Sequence, residues 1–302
     1  MRLENENILL SDDDNKNFIQ IEGEDSLLVN LHDDFDRAKG SSANLFILND
    51  PSGETEDRVI KICKSPLGKG KNKRIRRFER EIKAFRLAKK NSLRNVIEFH
   101  KAGEVYIDVI GSAFLYIIME KADEDLASYL ERKRFDFTPG QKLTFCVGIL
   151  NGIKQLHNIG IYHRDIKHDN ILVVNGEFKI GDLGLVDFQN RDFFDKPNEK
   201  IGPFGWLSPE ATNKMLTDKK DLIYEFDCDI NNDSDVFQLG KLFWYVFQGN
   251  LPIGQILLED YLINEDDIFK VIFAMLQYKK SRRLSIAAIE AMIAPLKIKY
   301  GV

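Results

Sequence analysis

The chain carries two patterns of hydrophobic positions. Short apolar runs bounded by polar residues predict strands at residues 8–10, 18–21 and 114–119. Apolar residues spaced three or four positions apart predict amphipathic helices at residues 75–85 and 268–275. Strands and helices are therefore both expected, and the polar stretches that join them are the places to look for chemistry.

A third predicted helix carries its own start signal. Thr138 is a typical cap residue, Pro139 would take the first helical position and Gln141 the third. Apolar residues continue at helical spacing over residues 143–156, and the pattern stops near Gly160. A long helix is thus predicted immediately before the most polar loop of the chain.

That loop places three functional side chains within six residues. Asp165, Lys167 and Asn170 precede the apolar run 171–174, so they are expected in a loop that enters a short strand. An Asn-Gly pair at residues 175–176 predicts a hairpin turn. The returning strand would then deliver Asp182 beside the same loop.

These residue types suit phosphoryl transfer. Mg²⁺ prefers oxygen ligands and is usually held by one or two protein groups, water and substrate phosphates. Asp182 and Asn170 could supply the protein groups. Asp165 could then orient an attacking hydroxyl, and Lys167 could offset charge on the phosphoryl group in flight. The cluster indicates transfer of a phosphoryl group from a nucleotide.

Residues 163–170 read HRDIKHDN and residues 182–184 read DLG. They resemble the catalytic loop and metal-binding segment of the eukaryotic-type protein kinase family, which has HRDxKxxN and usually DFG. The lysine two residues after the aspartate resembles the serine/threonine branch. The resemblance implies ATP, Mg²⁺ and a bilobal α+β fold, with a small β-rich N-lobe and a larger helical C-lobe. It divides the chain into an N-terminal extension (1–30), the N-lobe (31–119) and the C-lobe (120–302).

The glycine-rich phosphate loop of the family is only partly present. On its pattern GxGxxGxV, the four marked places fall on Ala38, Gly40, Ala43 and Leu45, so only the second glycine remains. Gly40 is the implied phosphate-binding residue, because small residues let backbone N–H groups approach phosphate oxygens closely. Taken alone, the same residues would also suit an ordinary hairpin turn.

The next strand, residues 58–63, resembles the VAIK strand of the family. Its alternation puts Val59 and Lys61 on one face. The resemblance implies that Lys61 reaches the α- and β-phosphates, and a lysine on an inner face needs a carboxylate partner. The candidate partner is Glu81, which falls beside the apolar stripe of the helix predicted at residues 75–85.

Polar residues follow the apolar run 114–119, and the resemblance implies that the hinge between the lobes lies there. Backbone groups there would bind the adenine base, and apolar side chains would sandwich its ring. The apolar side chains could also serve in core packing, and the two roles are compatible. The residues implied to contact the base are Leu45, Val59, Met119, Glu120, Ala122 and Leu172.

Two further motifs imply structural roles. Residues 208–210 read SPE and resemble the APE motif, so Glu210 is expected to form a buried ion pair with Arg283, and Arg282 is the less favoured partner. Asp235 lies in SDVFQLG, which matches the helix whose aspartate anchors the catalytic loop. The chain between Glu210 and Asp235 is about a dozen residues longer than the family needs. The extra residues could form a docking element or a surface loop, and the surface loop is the favoured interpretation.

The segment after Asp182 departs from the family. It has no Ser, Thr or Tyr before Ser208, so phosphorylation of this segment has no acceptor. Our hypothesis is that Glu199 or Asp195 supplies a standing negative charge for the arginine of HRD. Pro203 stands where the family commonly has a threonine that contacts the catalytic Asp and Lys. Because of this difference, the resemblance does not decide between Ser/Thr specificity and dual specificity.

The composition is that of an ordinary globular protein. A chain of 302 residues with 43% hydrophobic and 30% charged residues can fill two lobes. No run approaches the roughly 18 apolar residues that span a bilayer, and residues 1–5 open no signal peptide. The net charge of −5 argues against a nucleic-acid role.

The three cysteines also bear on location. Cys63, Cys146 and Cys228 are far apart in the sequence and form no CxxC pair. Reduced thiols in a cytoplasmic protein are the simplest account, either in its own cell or in a host cell if it is secreted.

The favoured function is an active kinase that phosphorylates Ser or Thr of protein substrates without phosphorylation of its own activation segment. A pseudokinase that acts as a nucleotide-binding scaffold is the alternative, motivated by Ala38, Ala43 and Pro203. A small-molecule kinase is a third class, which Lys167, the SPE motif and Asp235 disfavour.

Overall fold

A computed structural model provides the coordinates of the protein. It describes residues 1–13, 16–21, 27–32, 43–49, 58–68, 70, 72–132, 137–189, 195–196, 198–217, 226–263 and 265–302. The predicted phosphate loop with Ala38 and Gly40 lies outside the described residues, as do residues 218–225 of the predicted insertion.

The chain forms two compact units. The first comprises residues 1–90 and 97–121, and the second comprises residues 91–96 and 122–302. The boundary falls two residues after the lobe boundary predicted from sequence. Strands dominate the first unit and helices the second, so the predicted α+β class with a β-rich N-lobe and a helical C-lobe is confirmed.

The first unit is built on an antiparallel sheet. Its elements are β1 (Arg2–Glu4), β2 (Asn7–Leu9), β3 (Phe18–Ile21), β4 (Leu27–His32), β5 (Ala43–Asn49), β6 (Arg58–Cys63), α1 (Lys73–Lys90), β7 (Phe99–Ile107) and β8 (Ser112–Glu120). In the part of the chain that the structure describes, six strands pair in the order β3-β4-β5-β6-β8-β7, and β1 pairs with β2.

Residues 1–30 belong to this unit rather than standing apart from it. The strands predicted at residues 8–10 and 18–21 correspond to β2 and β3, and β3 is an edge of the sheet. Ile8, Ile19 and Ile21 are buried in the cluster that covers one face of the sheet, against β6 and β8 residues such as Ile60 and Tyr116. Burial of these apolar side chains stabilises the attachment by roughly 1.5–3 kcal/mol each.

The second unit contains β9 (Glu124–Asp125), α2 (Leu126–Arg132), α3 (Pro139–Asn158), β10 (Ile161–Tyr162), β11 (Ile171–Val174), β12 (Glu177–Ile180), β13 (Asp187–Phe188), α4 (Pro209–Leu216), α5 (Asn232–Gln248), α6 (Asp266–Met275) and α7 (Ile286–Tyr300). Helix α3 packs against α5, α7 and β12. No helix among the described residues combines the length and the hydropathy needed to cross a bilayer.

Local signals predicted from sequence are present in this unit. Thr138 caps α3 in a capping box with Gln141, as predicted. Strands β11 and β12 form the predicted hairpin, in which Ile171 pairs with Ile180. The turn residues Asn175 and Gly176 have φ of 50° and 80°, the left-handed conformation that a type I′ turn requires.

Candidate active site

The first unit pairs Lys61 with Glu81. The Lys61 Nζ lies 2.6 Å from the Glu81 Oε1, and both side chains are buried. Glu81 falls on the buried face of α1 together with apolar residues such as Ile82 and Phe85. The predicted pairing is confirmed, and a buried ammonium and carboxylate each need this partner because desolvation of an unpaired charge is costly.

Strand register places other predicted residues on the same face as Lys61. Leu45 of β5 pairs with Lys61 of β6, and Val59 pairs with Met119 of β8. Side chains directly opposite each other in an antiparallel pair lie on one face, and Val59 and Lys61 share a face by alternation. Leu45, Val59, Lys61 and Met119 therefore line one face of the sheet, opposite the core cluster that contains Ile60.

The second unit holds Asp165 beside Asn170. The Asn170 side-chain amide donates to the Asp165 Oδ2 at 2.9 Å and to the Asp165 backbone carbonyl at 2.8 Å. The other carboxylate oxygen, Oδ1, is buried and has no hydrogen-bond partner among the described residues. A buried oxygen without a partner costs free energy unless a ligand group supplies the hydrogen bond. One acceptor of the Asp165 carboxylate is thus left without a hydrogen bond from the described residues.

The surroundings of Asp165 shift its protonation. Burial, and secondly the charge of Asp182, raise the pKa of Asp165 to about 7, while Lys167 and the Asn170 hydrogen bond act in the opposite direction. A carboxylate whose pKa is near neutral is well matched to accept a proton at neutral pH. The electrostatics also indicate that Asp182 lies close enough to Asp165 to affect its charge.

The β11–β12 hairpin delivers Asp182 to the same region, as predicted. The backbone of Asp182 has φ of 40°, a sparsely populated region for a non-glycine residue, and its Oδ1 accepts from the Gly184 N–H at 3.1 Å. Such backbone strain often marks functional positions.

The donor set around Asp182 and Asn170 fits Mg²⁺. No cluster of three or more His, Cys, Asp or Glu that could hold a metal occurs in the described ranges. One carboxylate and one amide oxygen are the sparse oxygen donors with which Mg²⁺ binds when substrate phosphates and water complete its shell.

Lys167 has an acidic neighbour that sequence reasoning missed. Its Nζ lies 3.2 Å from the Asp169 Oδ2. The expected threonine is absent because Pro203 takes its place, and proline has no hydroxyl to offer Lys167 or Asp165. The Asp169 carboxylate thus forms an ion pair with Lys167. Two residues separated by one position in a loop give no periodic signal, so the pair could not be found from the sequence.

Arg164 has the acidic partners that the hypothesis required. Its Nη1 lies 2.5 Å from the Asp195 Oδ2 and 3.3 Å from the Asp187 Oδ2, and all three side chains are buried. Of the two candidates, Asp195 is the one on Arg164, whereas Glu199 accepts from the backbone N–H of Lys196. Asp187 was not predicted as a partner.

Two structural anchors are confirmed. The Asp235 carboxylate accepts from the backbone N–H groups of His163 at 2.8 Å and Arg164 at 2.7 Å. The Arg283 Nη1 lies 2.8 Å from the Glu210 Oε1, and both side chains are buried, so Arg283 and not Arg282 is the partner.

The remaining predicted residues are located but their roles stay predictions. Glu120 ends β8, and its N–H donates to the Glu98 carbonyl at 3.0 Å. Ala122 is the first residue of the long segment 122–302 of the second unit, and Leu172 lies in β11 with its side chain against Gly181. Gly40 lies outside the described residues.

Comparison with known proteins adds an independent finding. Residues 52–293 match the protein kinase domain family. Similar curated proteins include the mouse dual specificity protein kinase TTK, at 26% identity over 49% of this chain and 17% of the relative. Rat cyclin-dependent kinase 11B is 33% identical over 36% of this chain and 26% of the relative. Cyclin-dependent kinase 12 of Caenorhabditis elegans is 35% identical over 48% of this chain and 19% of the relative. Each match thus spans about a quarter or less of the relative.

Proposed function

Because the chain belongs to the protein kinase domain family, we propose that it transfers the γ-phosphoryl group of ATP to serine or threonine hydroxyls of protein substrates. The observation that carries this proposal is the buried Oδ1 of Asp165, which no described residue hydrogen-bonds, while Asn170 fixes the carboxylate through its other oxygen. Oδ1 would accept the hydrogen bond of the substrate hydroxyl and take its proton as the phosphoryl group transfers.

Other residues of the chain support the same chemistry. Lys61, held by Glu81, would bind the α- and β-phosphates, and Lys167 would offset charge on the transferring group. Asn170 and Asp182 would hold the metal. Magnesium bound with ATP would neutralise the charge that develops on the phosphates. Within the second unit, Asp165, Lys167 and Asn170 lie on a loop whose backbone N–H groups are held by the Asp235 carboxylate, which favours a fixed orientation.

A phosphate-transfer assay tests the proposal. The protein is incubated with radiolabelled ATP and generic protein substrates, beside Asp165→Asn and Asp182→Asn. We expect transfer by the wild type and a loss of about 10²- to 10⁴-fold in Asp165→Asn, since this variant loses the proton acceptor. Binding of ATP without transfer by the wild type would instead indicate a nucleotide-binding scaffold.

The acceptor residue is assigned from Lys167, which resembles the serine/threonine branch. The mouse and zebrafish TTK relatives carry the name of dual specificity kinases, so tyrosine is the acceptor to exclude. Phosphoamino acid analysis of the labelled substrate separates the two. Phosphoserine and phosphothreonine alone are expected, and phosphotyrosine would overturn the narrower assignment.

The proposal extends to regulation and location. We propose that the enzyme is active without phosphorylation of the segment after Asp182, because Asp195 supplies the negative charge on Arg164 and no acceptor precedes Ser208. Phosphatase-treated protein should keep its full kcat, and loss of activity would contradict the idea. A cytoplasmic location is proposed on the absence of disulfide bonds among the three cysteines, all of which lie within the described residues.

A further inference from the structure

Gln238 of α5 is almost fully buried, with 2% of its surface exposed, although its side chain is polar. Its Oε1 accepts from the backbone N–H of Ile166 at 3.0 Å, and its Nε2 donates to the backbone carbonyl of Arg164 at 3.3 Å. These two peptide groups lie on either side of Asp165. One amide side chain thus spans the backbone that carries the predicted proton acceptor.

The contacts of Gln238 complement those of Asp235, which lies three residues earlier on the same helix face. Asp235 accepts from the N–H groups of His163 and Arg164, so the two side chains together bind four backbone groups of the catalytic loop. Arg164 has φ of 65°, an unfavourable value for a side chain of its size. The loop therefore needs external contacts to keep this conformation.

The chemistry of an amide matches this position. A glutamine side chain offers one acceptor and a donor group at the same distance from the backbone, and the loop presents one donor and one acceptor. Gly202 leaves room for the contact, because a Cβ at that position would lie 3.2 Å from the Arg164 carbonyl oxygen and 3.5 Å from the Gln238 Nε2. A hydrophobic residue of similar length could fill the space but could bind neither group.

We propose that Gln238 is a positioning residue for catalysis, which fixes the backbone on both sides of Asp165 and so sets the direction of its carboxylate. The inference rests on the proposed kinase function. It differs from simple core packing because it predicts an effect on turnover that is larger than the effect on nucleotide binding.

The test compares Gln238→Met with Gln248→Met. Gln248 lies on the same helix and makes the same kind of double contact. Its Nε2 donates to the Asp260 carbonyl at 2.8 Å, and its Oε1 accepts from the Leu262 N–H at 3.2 Å. The segment that it contacts is far from the catalytic loop in sequence. We expect Gln238→Met to lower kcat by roughly tenfold or more, since a misplacement of about 1 Å can cost about 10²-fold. KM for ATP should change little in either variant, and kcat should stay near the wild-type value in Gln248→Met.

Hydrogen exchange gives a readout that does not depend on activity. Peptides covering residues 163–170 should exchange faster in Gln238→Met than in wild type or Gln248→Met. Wild-type exchange and kcat in Gln238→Met, or an equal loss of kcat in both variants, would overturn the inference. A wild-type protein without transferase activity would overturn the kinase proposal, while the exchange result would still report on the contact. If Gln238→Met does not fold, Gln238→Asn is measured in the same way. The side chain of this variant is one methylene too short to make both contacts. A wild-type kcat in Gln238→Asn would then overturn the inference.

Discussion

The imidazole of His163 is buried and contacts two backbone groups of the site. Its Nε2 lies 3.2 Å from the Gly181 carbonyl oxygen, and its Nδ1 lies 3.2 Å from the Asp165 backbone nitrogen. The neutral tautomer satisfies both, because Nε2–H donates to the carbonyl while Nδ1 accepts from the N–H. Burial lowers the pKa of His163, and the charge of Asp235 opposes this effect only in part.

This arrangement makes stability depend on pH. The unfolded chain takes up a proton on His163 below pH 6.5, whereas the folded protein resists protonation, so the free energy of unfolding falls as the pH drops below 6.5. Part of the stability contributed by this residue should therefore be lost between pH 7.5 and 5.5. His163→Gln keeps a donor and an acceptor but cannot titrate. Denaturant unfolding of both proteins at the two pH values should give a smaller pH effect in the variant, and equal effects would contradict the assignment.

Residue identities in the site could be predicted to different extents. Lys61 and Glu81 could be paired from sequence because strand alternation and helix periodicity each fix a face. Asp195 could not be chosen over Glu199, since a count of residues along an irregular segment does not determine which carboxylate reaches Arg164. Gln238 gave no signal because a single polar residue in an apolar helix stretch has no recognisable spacing.

At the scale of elements, the segment after Asp182 is joined to the catalytic loop through the Arg164 side chain, which contacts Leu185, Asp187 and Asp195. Arg164 is buried with two acidic partners, so removing the nearer one should cost less than the roughly 3–5 kcal/mol of a buried pair that loses its sole partner, because Asp187 remains beside Arg164. Asp187 lies farther from Arg164 than Asp195 does. The order of this segment should therefore rely on Asp195.

Asp195→Asn should lower kcat and speed proteolytic cleavage between Asp182 and Ser208. Glu199→Gln is the matched control, because its amide oxygen can still accept from the Lys196 N–H. We expect the control to keep kcat within about twofold of the wild type, as replacement of a hydrogen-bonded group that keeps its acceptor costs little. The reverse result, with activity lost only in Glu199→Gln, would transfer the role to Glu199.

Helix α3 offers a test of packing at the element scale. A Cβ on Gly152 would lie 2.7 Å from the Ile180 Cγ1 and 2.8 Å from the Asn95 carbonyl oxygen, whereas nothing lies within 4 Å of a Cβ on Gly148. The glycine at position 152 therefore allows the close approach of α3 to β12.

Alanine at these two positions should have opposite effects. Gly148→Ala is expected to raise the free energy of unfolding by about 0.5–1 kcal/mol, since glycine is a poor helix former. Gly152→Ala is expected to lower it by about 1–3 kcal/mol through overpacking. Chemical denaturation measures both. A stabilising effect of Gly152→Ala would show that β12 can move away from the helix at little cost.

At the scale of the whole molecule, the predicted lobe boundaries stay predictions, whereas the predicted α+β class with a β-rich and a helical lobe is confirmed. Motif order made this possible, because the catalytic loop, its hairpin and the anchor helix follow one another at defined spacing. The sheet at the N-terminus was predicted only in part. Strand β1 is only three residues long, and the pairing of β1 and β4 depends on neighbouring strands that local patterns do not encode.

The ion pair of Glu210 and Arg283 shows what such long-range contacts contribute. Glu210 lies in the first turn of α4 and Arg283 precedes α7, so the pair joins positions 73 residues apart within the second unit. The Ser234 hydroxyl also donates to Glu210 at 2.6 Å, and the Arg283 Nη1 donates to the Asp233 carbonyl at 2.6 Å. The contact therefore ties three parts of the unit around one buried carboxylate.

Arg283→Leu should destabilise the second unit strongly, by about 3–5 kcal/mol, because Glu210 would be left as a buried charge without its partner. Arg282→Leu is the control, since Arg282 is exposed and changes at exposed positions usually stay within about 0.5 kcal/mol. A third variant, Glu210→Leu combined with Arg283→Leu, removes both charges and should recover part of the loss. Thermal and denaturant unfolding measure all three. If the double variant were no more stable than Arg283→Leu, the destabilisation would come from lost packing around Arg283 rather than from the charge of Glu210.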